Sequence, residues 1–356
     1  MMIDSDLTQL YNVEIKVLKQ QANPTLKSPF HFLNKYNRQE LYSFIGSNST
    51  VMENLNRRKF LTALSLGTAH VLFSNPLYAS LIPGISLNPL QKVKLGNSGI
   101  ETTLLGVGTG VHATNRGSFL TKQEKETSLA MLRYAYDKGF RNFDCADTYG
   151  THWMMAEVLP HMKREELTIT SKIWVRSGGI PDKERPDANI VVDRFRKELN
   201  TDYIDLVQIH CMVDEDWTDS QKKQMDILEN LKSKGIIRAH GVSVHSLEAM
   251  KSAVKSPWVD VIHVRINPYG IAMDKPEPEE IVQVIQQLHA SGKGVIGMKV
   301  IGDGKLSNDS EKIDNTLRFV LGLGTVNMMI VGFENTAQID NYLGRVEKAL
   351  GKLKQG

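Results

Sequence analysis

Cysteine is nearly absent: Cys145 and Cys211 are the only two in 356 residues. Two thiols cannot build a disulfide framework or a four-cysteine metal site. No cluster of His or acidic residues stands at ligand spacing either, so no metal is expected. Apolar stretches long enough for a polytopic membrane protein are also missing. The composition excludes wholesale disorder and a fibrous protein, since 41% hydrophobic and 23% charged residues with 27 Gly and 12 Pro are ordinary for a soluble globular chain. The net charge of +3 is unevenly spread. Residues 1–94 hold 10 Lys+Arg against 5 Asp+Glu, which leaves 33 basic and 35 acidic residues beyond them. That nearly neutral remainder lacks the basic field of a nucleic-acid-binding protein, so no nucleic-acid partner is expected.

The composition shifts near residue 90. Residues 1–51 show no sustained period and are left as an unassigned leader, with Met52 a candidate true start. From Met52 the chain reads Met-Glu-Asn-Leu-Asn-Arg57-Arg58-Lys59-Phe60-Leu61, followed by a mildly apolar run from Leu61 to Leu77. A basic segment ahead of a short apolar one is the order of an export signal, not of a spanning helix. Arg57-Arg58 resembles the twin-arginine signal, whose machinery exports folded proteins. The expected partition is therefore 1–51 leader, 52–90 signal and linker, and 91–356 folded domain. A periplasmic or exported location follows, with removal of residues up to about Ala79 and no stable membrane span afterwards. Retention as an uncleaved tether stays open, and so does a cytoplasmic protein with an artefactual leader.

Beyond the leader, Val93–Leu95 and Thr102–Leu105 flank Asn97-Ser98-Gly99, a hairpin signal. Eight short apolar runs then end near Gly108, Cys145, Lys172, His210, Ser243, Asn267, Lys299 and Val331, about 32 residues apart. Amphipathic stretches separate them. Ile281, Val284, Ile285 and Leu288 follow helical spacing, as do Ile339, Leu343, Val346 and Leu350 within one residue. Strand-helix alternation at that interval predicts an α/β fold, a (β/α)8 TIM barrel preceded by a β-hairpin. A doubly wound dinucleotide fold is the competitor. Gly106-Val-Gly108-Thr-Gly110 lacks its GxGxxG spacing, which favours the barrel.

Chemistry in such barrels sits at the C-terminal strand ends. There the sequence places Asp144 and Tyr149 in Asn-Phe-Asp144-Cys-Ala-Asp-Thr-Tyr149-Gly, Lys172 in Ile-Thr-Ser-Lys172, and His210 in Asp-Leu-Val-Gln-Ile-His210. From about Lys92 to the C-terminus the chain carrying these strings resembles the aldo-keto reductases, and the carbonyl reduction that this resemblance implies needs a hydride donor and an acid for the forming alkoxide. A phenol with pKa of about 10 is a sluggish acid at neutral pH, and a neighbouring ammonium lowers that pKa. The expected roles are Tyr149 as acid, Lys172 as its tuner, Asp144 as the lysine's partner, and His210 as orienter of the carbonyl. Taken singly, each is more ordinarily a packing, rim or turn residue; their order on successive strands is what carries the signal. The resemblance implies an NADP- or NAD-dependent oxidoreductase that interconverts an aldehyde, ketone or sugar carbonyl with an alcohol. The alternative is a nucleotide-binding regulatory barrel with little turnover.

The resemblance also implies where the cofactor lies. Its carboxamide is usually held by a Ser-Asn pair and a Gln. Here Ser243 is present, Val244 replaces the Asn, and His263 aligns with the Gln. Met298 replaces an aromatic that stacks on the nicotinamide, and a thioether can still pack there. Lys299 meets either a pyrophosphate oxygen or only water. Gly332, Gln338 and Asn341 lie in the segment that usually binds the adenosine end. Gln338 stands for a family Arg and Glu334 would repel a 2′-phosphate, so NADP and NAD both remain open.

Four smaller expectations complete the reading. Arg265 points into the barrel top and needs an anion, from the protein or from a substrate. Cys145 and Cys211 flank tetrad members, and strand alternation turns both away from the pocket unless an oxidising compartment bridges them. The loops from His112 to Thr121, Trp174 to Asp187 and Cys211 to Ser220 set specificity. Trp174 and Trp217 are expected to wall the pocket.

Overall fold

The structure, a computed structural model, describes residues 88–355; the twin-arginine string and the 1–51 leader lie outside them. Strands β1 (Lys92–Lys94) and β2 (Glu101–Thr103) pair antiparallel around the Asn97-Ser98-Gly99 turn. Eight parallel strands follow: β3 Leu105–Gly108, β4 Asn142–Asp144, β5 Thr168–Ile173, β6 Ile204–Met212, β7 Ile237–Val244, β8 Val261–Arg265, β9 Gly294–Met298 and β10 Met328–Val331. They close into a barrel in sequence order, with β10 pairing both β9 and β3. This is the expected (β/α)8 architecture.

The helices are α1 Phe119–Lys122, α2 Lys125–Lys138, α3 His152–Val158, α4 Ala188–Leu199, α5 Trp217–Ser220, α6 Lys222–Ser233, α7 Leu247–Lys255, α8 Glu279–Ala290, α9 Ser310–Gly322 and α10 Thr336–Gln355. Their boundaries follow local chemistry. Helix α2 opens where Glu124 accepts the Thr127 amide and closes at Gly139, whose φ of 106° is readily adopted only by glycine. Helix α8 buries Ile281, Val284, Ile285 and Leu288, the predicted stripe. In α10, Ile339, Val346 and Leu350 are buried and Leu343 packs beside them. Each fully buried Leu or Ile contributes about 1.5–3 kcal/mol of transfer free energy, which is what holds the helical ring to the sheet.

Period-two alternation decides what fills the barrel. Leu206, Ala239, Val261, Ile296 and Met328 form a cluster with Leu95 and Ile100 of the hairpin. The hairpin therefore plugs the end where the strands begin. Gly96, with φ of 53°, fits because a Cβ there would overlap Gly292 O, and Asn97 N donates to that same oxygen at 2.8 Å. Residues of the same parity farther along, Asp144, Lys172, His210, Ser243, His263 and Met298, share the interior at the open end. Among the described residues no helix is long and apolar enough to cross a membrane.

Candidate active site

The tetrad positions converge. Lys172 Nζ donates to Asp144 Oδ1 at 2.5 Å, to the Cys145 carbonyl at 3.0 Å and to the Tyr149 hydroxyl at 3.4 Å. Lys172 and Asp144 are each about 1% exposed. The His210 ring stands edge-on to Tyr149 at 5.7 Å between centroids, and Trp174 meets His210 at 5.2 Å.

Local structure explains the convergence. Tyr149 rides on a 3₁₀ turn, Asp147–Tyr149, separated from the end of β4 only by Cys145 and Ala146. Gly110 makes room for it, since a Cβ at that position would overlap the phenol ring. The turn is held by Asp147, which accepts from Arg116 Nε at 2.8 Å and from Arg194 Nη2 at 2.7 Å. Strand β6 is irregular between Ile209 and Met212, where Cys211 takes a left-handed φ of 62°. Cys211 N donates to Ser243 Oγ at 2.8 Å, fixing the kink that presents His210 to the open end.

Burial dominates the electrostatics. Burial works to raise the Asp144 carboxyl, but Lys172 and His263 outweigh it and hold the group below its ordinary value. Burial lowers the Lys172 ammonium despite Asp144. The Tyr149 phenol is pushed well above its usual value by burial, and then by the Asp144 charge. Burial and the Asp144 charge outweigh the lowering expected from Lys172. Burial holds His210 well below the ordinary histidine range, with Lys172 adding to the effect, so the imidazole is neutral at pH 7. Its Nδ1 has no hydrogen-bond partner among the described residues.

The expected cofactor contacts are placed unevenly. His263 is fully buried beneath the tetrad, its Nε2 3.2 Å from Asp144 Oδ1 without the alignment of a hydrogen bond. That position sets it against the carboxylate. Ser243 Oγ accepts the Cys211 amide but its hydroxyl proton has no acceptor among the described residues, leaving a buried donor uncommitted. Met298 is 8% exposed at the end of β9. Lys299 pairs with Asp303 at 2.5 Å, so it is not a free cation. Gly332 packs on Val111, with no room for a Cβ. Gln338 is exposed and folds back, its Oε1 accepting Glu334 N at 2.8 Å. Asn341 accepts from Arg345 Nε at 2.7 Å. The uncommitted Ser243 donor and the soft face of Met298 fit a nicotinamide; the adenosine end offers exposed amides and no unpaired cation at Gln338.

Other sequence expectations divide. The anion that Arg265 needs is Asp274, whose Oδ1 accepts from Nε at 2.7 Å, and Arg265 also donates to the His245 carbonyl at 2.6 Å. Trp217 does not wall the pocket. It is 1% exposed and donates to the Ala249 carbonyl at 3.1 Å, because α5 turns it inward beneath α7. Both cysteines are free thiols; Cys145 lies in the core outside the barrel interior, and its thiol is raised to about 11 by burial. The Asp147 clamp and Gly110 are site features that sequence reasoning missed. The spacing Asp144-Cys-Ala-Asp147-Thr-Tyr149 was the available hint, but it names no arginine.

Comparison with known proteins fits this arrangement. "Probable aldo-keto reductase 1" of Glycine max is 25% identical over 223 residues, covering 60% of each chain. "Methylglyoxal reductase DkgB" of Salmonella typhi is 27% identical over 164 residues, covering 45% of this chain and 58% of that one. The matches thus span about 60% of these curated relatives. The holo form of an aldo-keto reductase from Bacillus halodurans shares the fold, with a TM-score of 0.58 at 19% identity over 74% of this chain and 96% of that one. A model of the aldo/keto reductase family matches residues 105–319, which take in the whole tetrad and its strands but not Gly332, Gln338 or Asn341. By the extent of that match, the chain belongs to the aldo/keto reductase family.

Proposed function

We propose that this protein is a nicotinamide-dependent oxidoreductase that interconverts a small carbonyl compound and its alcohol. The observation that carries the reading is the Asp144–Lys172–Tyr149 chain, with a protonated phenol beside a neutral His210. A bound NADH or NADPH would supply the hydride. Ser243, Met298 and Lys299 would hold it, with Gln338 and Asn341 toward the adenosine end.

The chain's own groups do the rest. His210 donates to the carbonyl oxygen and, being neutral, has no charge to lose. Tyr149 OH would give its proton to the carbonyl oxygen as that oxygen gains charge on reduction, which would leave the alcohol. Lys172 then stabilises the phenolate until solvent returns the proton. The phenol is protonated at pH 7, as a proton donor must be, and Lys172 stands where it can stabilise the phenolate that forms. Exposed Glu334 beside Gln338 disfavours a 2′-phosphate, and this supports NAD over NADP.

Extraction and mass identification of nucleotide from the purified protein, followed by titration with NADH and NADPH, tests the reading. Retention or binding of either one is expected; an empty barrel that binds neither would overturn it. We further propose export through the twin-arginine machinery, supported by Arg57-Arg58 ahead of the Leu61–Leu77 run. A mature N-terminus near Ser80 is expected; an intact N-terminal segment in a cytoplasmic fraction would contradict export.

A further inference from the structure

The carbonyl site defined by Tyr149 and His210 lies beside the ends of β5 and β6, and not every cation near it has a carboxylate of its own. Four cations act on the open end of the barrel around His245, whose ring lies 6.4 Å from that of His210: Arg265, Lys299, Arg176 and Lys172. Three of them have a carboxylate of their own. Lys172 is bound by Asp144, Arg265 by Asp274, and Lys299 by Asp303. Arg176 has none within 4.0 Å among the described residues.

Arg176 is nevertheless held in place. It sits three residues beyond the end of β5, and its carbonyl accepts from Arg185 Nε at 2.7 Å. Its Nη1 leans on Cys211, 3.3 Å from the carbonyl oxygen and 3.4 Å from Sγ. Cys211 directly follows His210. The guanidinium is thus fixed one residue from the group that meets the carbonyl, with Nε and Nη2 making no hydrogen bond among the described residues. No carboxylate of the neighbouring acidic run Asp214–Asp216 lies within 4.0 Å of it. The carbonyls of Val213 and Glu215 accept from Ser246 and Ser252, which ties that run to the start and middle of α7.

A fixed guanidinium with a free edge is a carboxylate fork, giving two parallel charge-assisted hydrogen bonds. Its strand lies four places round the barrel from β9, which carries Met298, so it belongs to the substrate side of the opening.

We propose that Arg176 is a specificity-determining residue that binds a carboxylate on the substrate, so that the preferred carbonyl compounds are oxo acids. This rests on the carbonyl-reductase reading above and narrows its substrate class. The arrangement needs one molecule to span His210 and Arg176, with the carbonyl at the first and the carboxylate at the second.

The test compares charged and neutral carbonyl compounds of matched shape. Two lengths are used: 4-oxobutanoate against 4-oxobutanamide, and 4-carboxybenzaldehyde against 4-formylbenzamide. In the wild type, kcat/KM for the acid should exceed that for the amide by about tenfold in at least one pair. Added salt should shrink that ratio, because the guanidinium is exposed and screened. R176Q should bring the ratio to within about twofold of unity, and R176K should retain part of it, a single ammonium keeping the charge but not the fork. Equal or reversed preference in both wild-type pairs, with the amides turned over, overturns the subsite and leaves the carbonyl reading intact. So does an unchanged ratio in R176Q. Failure of every compound with both nicotinamides overturns the carbonyl reading and the subsite together.

Discussion

Lys172 Nζ lies 2.5 Å from Asp144 Oδ1 and 3.4 Å from the Tyr149 hydroxyl, so one buried ammonium faces both a carboxylate and a phenol. Asp144 is the nearer partner. This geometry keeps Tyr149 a proton donor at rest and leaves Lys172 ready to meet a phenolate when one forms.

Removing the lysine tests the pair. Lys172→Met leaves Asp144 charged, buried and short of its main partner, a loss of about 3–5 kcal/mol. Lys172→Met combined with Asp144→Asn removes both charges and should lose clearly less than the two single losses added together, by about 1–3 kcal/mol. Urea unfolding of the three variants measures it. Strictly additive losses would show that the two groups do not interact.

Gly110→Ala places a methyl group into the face of the Tyr149 ring. The ring must shift, and a displacement of about 1 Å at a reacting group costs on the order of a hundredfold in rate. The expected result is a large fall in kcat with the fold retained, read by steady-state kinetics beside a circular dichroism melt. Unchanged kcat would show that the ring has another place to stand.

Asp147→Asn removes the charge that Arg116 and Arg194 share at 2.8 and 2.7 Å. Hydrogen bonds to charged groups contribute about 1.5–3 kcal/mol, so a loss of that size in urea unfolding is expected. The turn bearing Tyr149 should loosen with it, and kcat should fall more than KM rises.

Much of this arrangement can be read from the residues alone, and the boundary is physical. The eight apolar runs end within two residues of the strands because a strand buried on both faces has little polar sequence to blur it. The largest departures are at β6, where the kink at Cys211 carries pairing on to Met212, and at β8, which stops at Arg265. The tetrad is legible because it is local to strand ends. Its supports are not. Arg116 and Arg194 reach Asp147 across 31 and 47 residues, and nothing in the intervening sequence couples them. Trp217 was misplaced for the same reason: a loop tryptophan looks like a pocket wall until α5 is seen to turn it onto Ala249. Asp274 as the partner of Arg265 lies on an irregular segment that no periodicity describes.

Buried histidines set the acid response of stability. His210, His245 and His263 all have folded values lowered by burial, that of His245 to about 3. The unfolded chain takes up these protons near pH 6.5 and the folded chain does not, so stability rises with pH across the interval. It should be fully present above about pH 6.5 and decline as pH falls toward the folded values. His245→Gln should flatten part of that decline in thermal melts between about pH 4 and 6.5. An unchanged slope would contradict the assignment.

The central claim is that Tyr149 delivers the proton. The direct measurement is the pH dependence of kcat/KM for carbonyl reduction in the wild type and in Tyr149→Phe, with nucleotide affinity measured alongside. The account predicts a wild-type plateau from about pH 6 to 9, since His210 is already neutral and the phenol still protonated across it. It predicts a loss of about 10²–10⁴ in kcat for Tyr149→Phe, with nucleotide binding retained. A Tyr149→Phe enzyme that keeps its turnover within a few-fold would place the acid elsewhere and contradict the account.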